Sequence, residues 1–78
     1  MIEFVLAATL DRLGITKHKL SVKSEIRPNT ISDMANNDVK SVNIETLTKI
    51  IIALNEIAKE KNISKQFDVN DVFIFKTE

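Results

Sequence analysis

The amino-acid sequence predicts an all-α fold of five helices, the fourth extended, with a short strand as the alternative for the C-terminal end. Three observations carry this. Apolar residues recur three and four positions apart along much of the chain, the spacing of one helical face. Thr16, Asn43 and Asp68, whose short side chains can accept from the backbone, stand just ahead of such segments as caps. The single glycine, Gly14, and the single proline, Pro28, fall where one helix would end and another begin.

Residues 2–13, IEFVLAATLDRL, place Ile2, Val5, Leu6, Leu10 and Leu13 near one face and predict the first helix, stopped by Gly14. A strand at Met1 to Val5 is the alternative for its start. Thr16 caps KHKLSVK, a second helix of about two turns, and Ser24 and Glu25 form a tight turn. Proline is favoured at the first helical position, where its missing N–H costs nothing, so the third helix opens at Pro28 and runs to Asn36. Ile31 and Met34 would point inward, and Asn29, Ser32, Asp33 and Asn36 outward. NNDVKS is a loop. Asn43 caps the fourth helix, IETLTKIIIALNEIAKEKN, with Ile44, Leu47, Ile51, Leu54 and Ala58 as its core stripe. Ile50 and Ile57 widen that stripe, and Ile52 falls nearly opposite. ISKQF is a polar connection. Asp68 caps VNDV, with Asp71 placed for an approximate capping box, and FIFK either continues that helix or forms a short strand.

Composition narrows the function. Eleven basic and eleven acidic residues cancel, so any attraction to nucleic acid must come from a local patch. Residues 15–42 hold five basic side chains against three acidic, while the flanking segments are each net −1. No apolar run approaches the ~20 residues a membrane span needs. The apolar start lacks the basic flank and small-residue cleavage site of a signal peptide. Absence of cysteine rules out disulfides and fits a reducing, cytoplasmic setting. The aromatics are four Phe, which argues against a stacking platform for single strands. No glycine-rich phosphate loop, nucleophile–His–carboxylate set or metal-ligand cluster is present, so neither an enzyme nor a cofactor is expected. His18, the only histidine, reads as an exposed helix residue.

A short helix, a tight turn and a proline-initiated helix with polar outward positions form a helix-turn-helix. LGITKHKLSVKSEIRPNTISDM resembles the motif of the Xre/Cro-type family of small phage and bacterial transcriptional regulators. SVNIETLTKIIIALN is similar to that family's next helix, and DVNDVF to the segment closing its domain. The resemblance implies one five-helix Cro/repressor-like domain over residues 1–78, with the motif at 16–36. It places Lys17 at a phosphate contact, with Thr30 and the loop residue Lys40 also at the backbone. Arg27, Pro28 and Asn29 fall where the recognition helix enters the major groove, and Ser32, Asp33 and Asn36 continue the reading face. Leu20, Ile26, Ile31 and Met34 match the positions that fix the angle between the two helices.

Four departures stand out, one being a link, EIAKEKNISKQF, longer than the family's usual one, which implies an extended fourth helix. Glu25 replaces the usual glycine at a left-handed position, a cost of about 1 kcal/mol. Ser21 replaces a small alanine, and Asp33 sets a negative charge on the reading face.

Side-chain chemistry supports the same roles. Lys17, Arg27 and Lys40 can each neutralise a phosphate, positioning the protein without specifying sequence. The Asn29 amide suits adenine N6 and N7, Arg27 suits guanine O6 and N7, and Asp33 can accept from cytosine N4. The expected function is a sequence-specific double-stranded DNA-binding regulator, a repressor. Ile50, Ile57, Phe73 and Phe75 are the candidate homodimer surface. The competing reading, motivated by the neutral charge and Asp33, is a protein-interaction module, an antirepressor or accessory subunit, that keeps the fold without reading DNA. An antitoxin acting on both DNA and a protein partner is intermediate.

Overall fold

The computed structural model describes residues 1–39 and 41–77. Its order is β1 (Ile2–Phe4), α1 (Leu6–Leu13), α2 (Lys17–Ser24), α3 (Pro28–Ala35), α4 (Ile44–Glu60), a 3-10 turn (Val69–Asp71) and β2 (Phe73–Phe75). Among the described residues there are thus four α-helices and a two-stranded antiparallel sheet, not five helices.

The helix boundaries follow local chemistry. Gly14 closes α1 at φ +69. The Thr16 hydroxyl accepts from the Lys19 N–H at 3.0 Å, and the Asn43 amide oxygen from the Thr46 N–H at 2.7 Å. Each satisfies a donor that the first helical turn leaves free. Pro28 takes the first position of α3, and the Arg27 carbonyl accepts its opening bond from the Ile31 N–H.

Two expectations for the chain ends are corrected. Residues 2–4 form β1, the alternative reading, and the first helix begins only at Leu6. β1 pairs with β2 in the register Ile2↔Phe75, Glu3↔Ile74 and Phe4↔Phe73. The Lys76 N–H extends the ladder to the Met1 carbonyl at 2.7 Å. The last capped segment is a three-residue 3-10 turn with a complete Asp68–Asp71 capping box. FIF does not continue the turn but forms β2, paired with β1.

The core gathers Leu6, Leu10 and Leu13 of α1, Leu20 of α2, Ile31 and Met34 of α3, and the buried face of α4, closed by Phe67 and Val72. On α4 that face is Ile50, Ala53, Leu54, Ile57 and Ala58, rotated from the expected stripe. Ile44 is 81% exposed in the first turn, and Leu47 and Ile51 are only partly covered. The homodimer surface is corrected with it. Ile50 and Ile57 are 0% and 1% exposed and serve the core. Phe73 packs edge-on against Phe4, with ring centroids 5.6 Å apart. Of the four residues, only Phe75, 67% exposed, remains a surface group, beside its cross-strand neighbour Ile2.

Side chains fasten the C-terminal segment onto this core. Asn55 of α4 brackets Phe67, donating to its carbonyl at 3.1 Å and accepting from its N–H at 2.7 Å. Buried Thr9 donates to the Asp71 carbonyl at 2.6 Å. The Asp71 carboxylate accepts from the Asp68 N–H and lies 3.6 Å from Arg12 and 3.4 Å from Lys65.

Candidate nucleic-acid interface

α2, its turn and α3 are built around a few short side chains. Leu20 on α2 and Ile31 and Met34 on α3 are fully buried, so the two helices share one apolar seam. Glu25 closes α2 at φ +60, the left-handed backbone expected where glycine is usual. The Ser21 hydroxyl donates to the Ile26 carbonyl at 2.6 Å, and the Ile26 N–H donates to the Ser24 hydroxyl at 3.3 Å. Sequence reading saw Ser21 only as small enough to fit. Its hydroxyl in fact pins the turn from the α2 side, a contact alanine could not make.

α3 presents Asn29, Asp33 and Asn36 as exposed side chains along one face, with Ser32 half-buried beside them. The spacing i, i+3, i+4, i+7 brings all four to that face. Arg27, the exposed residue ahead of Pro28, flanks its N-terminal end. Among the described residues, none of these five makes a side-chain hydrogen bond or ion pair within the chain. Their polar groups are uncommitted, and all but Ser32 are exposed. Thr30 is half-buried, off the centre of this face. Lys40 lies outside the described residues.

The basic side chains divide into two groups. Lys17 and Lys19 stand exposed in the first turn of α2, with no acidic residue there and no ion pair among the described residues. A helix N-terminus already favours anions, and these two ammonium groups add to it. Lys23 is committed elsewhere. Its Nζ lies 2.6 Å from Glu60 and 3.7 Å from Glu56, tying α2 to the end of α4. The hydrogen bond to Glu60 raises the Lys23 pKa and lowers that of Glu60. The positive charge available at the motif therefore narrows to Lys17, Lys19 and Arg27, against Asp33 on the exposed face of α3.

Asn37, read from sequence as a loop residue, holds two structural roles. Its backbone sits at φ +60, and its Oδ1 accepts the Phe4 N–H at 2.9 Å. Asparagine just after a helical segment signals the first role. Nothing local signals the second, because the partner is 33 positions away.

Among the described residues no group of three His, Cys, Asp or Glu side chains is placed to hold a metal ion. No helix there is long and apolar enough to cross a membrane. Comparison with protein families matches residues 6–56 to the Cro/C1-type HTH DNA-binding domain, a span from the start of α1 into α4 that contains the whole motif. No curated protein and no solved structure matches the chain.

Proposed function

The chain belongs to the Cro/C1-type HTH DNA-binding domain family, and from that premise we propose that it is a sequence-specific double-stranded DNA-binding transcriptional regulator that inserts α3 into the major groove. The observation that carries this reading is the solvent-facing, uncommitted polar face of α3. A side chain already engaged within the protein would have to surrender that bond before reading a base, and these do not.

In this reading Asn29, nearest the N-terminal end of α3, pairs with adenine, and Ser32, Asp33 and Asn36 continue along the base edges. Arg27 reaches guanine or a phosphate at the helix entry. Lys17, with Thr30 and Lys40, contacts the backbone. Asp33 rejects misplaced phosphates and so favours discrimination over affinity. Repression would follow from occupancy of an operator alone. A homodimer would place two copies of α3 ~34 Å apart on a pseudo-palindrome. Phe75 and Ile2 are the exposed apolar groups such a contact would use. The whole chain, residues 1–78, acts here as one DNA-binding domain.

Retention of Lys23 by Glu56 and Glu60 favours the second reading, a protein-interaction module, because it withdraws charge from the motif.

Salt dependence and two substitutions test the first reading. A dimer making about six phosphate contacts should lose affinity with a log–log salt slope near −5. Asn29→Ala should relax preference at one base position per half-site, while Lys17→Ala should weaken binding to all sequences about equally. Unchanged binding in both variants would reject the docking.

A further inference from the structure

The last turn of α3 is closed by backbone bonds that need no particular side chain. The Asn37 N–H donates to the Met34 carbonyl at 3.2 Å and the Asp38 N–H to the Asp33 carbonyl at 2.8 Å, with Asn37 in the left-handed region. Glycine meets that requirement at least as well as asparagine. The Asn37 side chain therefore serves something else.

Its Oδ1 accepts the Phe4 N–H at 2.9 Å. On β1, the neighbouring Val5 N–H goes to the Val72 carbonyl, so the alternating Phe4 N–H points away from β2, out of the sheet edge. Asn37 fills that outward position and fastens the end of α3 to the strand. Among the described residues it makes the one side-chain hydrogen bond between residues 28–38 and the rest of the chain. The other restraint on α3 is apolar packing at Ile31 and Met34, which is non-directional. Packing fixes how deep the helix lies. A directional bond at one end fixes where that end points.

We propose that Asn37 is a positioning residue for base reading: its amide holds the C-terminal end of α3 against β1, setting the pose in which Ser32, Asp33 and Asn36 meet the bases. The proposal rests on the DNA-reading function above. It places a determinant of specificity on a residue that touches no base, and makes β1, outside the family-matched segment, part of the reading apparatus.

Asn37→Gly isolates the clip, because it keeps the left-handed backbone and removes only the amide. Asn37→Asp restores an acceptor. Two quantities are measured for each: the ratio of affinities for a selected site and for random duplex, and hydrogen exchange at the Phe4 amide. Asn37→Gly should lower the ratio about fivefold, the scale of one net hydrogen bond, and speed exchange at Phe4. The added charge of Asn37→Asp weakens both DNAs alike and cancels in the ratio, which should return toward wild type with Phe4 protected. A ratio unchanged in Asn37→Gly while Phe4 exchanges faster would overturn the positioning role and leave DNA reading standing. A Phe4 amide that is unprotected in the wild type would remove the clip itself. A wild-type protein that prefers no sequence would overturn both readings.

Discussion

Replacing Glu25 with glycine should stabilise this protein. Glu25 closes α2 at φ +60 and ψ +29, well inside the left-handed region. Of the other residues at positive φ, Asn37 and Asn62 are of a type that tolerates it, and Gly14 is free of the clash altogether. For glutamate the conformation costs about 1–2 kcal/mol. The side chain is exposed and, among the described residues, makes no hydrogen bond or ion pair that would offset this. Glycine removes the strain but adds about 0.4–1 kcal/mol of unfolded-chain entropy. Taking the middle of each range, the net gain is about 0.8 kcal/mol. For a domain of this size that raises the melting temperature by roughly 3–6 °C. Thermal unfolding followed by circular dichroism reads it directly. Glu25→Gln is the control, since it removes the charge and keeps the strained backbone, and its melting temperature should stay near wild type. A Glu25→Gly protein that melts at or below the wild-type temperature would refute the reasoning.

Three further outcomes are expected. Asn55→Ala strands the N–H and carbonyl of Phe67 and should cost about 1–3 kcal/mol, visible as a drop in melting temperature; a shift within error would mean that water replaces the amide. Asp33→Asn should raise affinity for random duplex and weaken discrimination at the base position Asp33 faces, whereas equal affinity would place the carboxylate away from the DNA. The Lys23–Glu60 pair gives a pH signature. The Glu60 pKa is lowered, so its contribution is present above the unfolded-state value and fades as pH falls through the lowered one. The Lys23 pKa is raised, so its contribution is complete below the unfolded-state value and fades as pH rises through the raised one. Lys23→Met should flatten both limbs of a plot of melting temperature against pH by a small amount, because the pair is at the surface; an unaltered profile would assign the pair no role in stability.

What could be read from sequence was local. Thr16, Asn43 and Asp68 announced their helical turns because capping depends on a side chain and the backbone two or three residues on. Gly14, Glu25 and Pro28 announced the breaks for equally local reasons. Both strands were named only as alternatives and their pairing was not seen, because each has three residues and owes its existence to a partner about 70 positions away. Ile2 and Val5 fit a helical face as well as a strand, and only pairing decides. The stripe on α4 was misplaced because periodicity gives the spacing of a face but not which neighbours cover it. Packing of α2 and the C-terminal segment against α4 turned Ile50 and Ile57 inward and left Ile44 outside. In the candidate interface, Arg27, Asn29, Asp33 and Asn36 stand at the surface as read. Of the contacts behind them, Ser21 on Ile26 spans five residues but depends on the geometry of the turn, and Asn37 on Phe4 joins residues 33 positions apart, which no spacing rule encodes.

Whether α3 reads DNA is tested most directly by selection from a pool of randomised duplex DNA at low salt, followed by sequencing of what the purified protein retains. Base reading by α3 should enrich a short motif, repeated with two-fold symmetry if the protein reads as a dimer, with half-sites about one helical turn apart. Retained DNA with the same sequence distribution as the starting pool would contradict it, leaving α3 with the form of a recognition helix and no reading to perform.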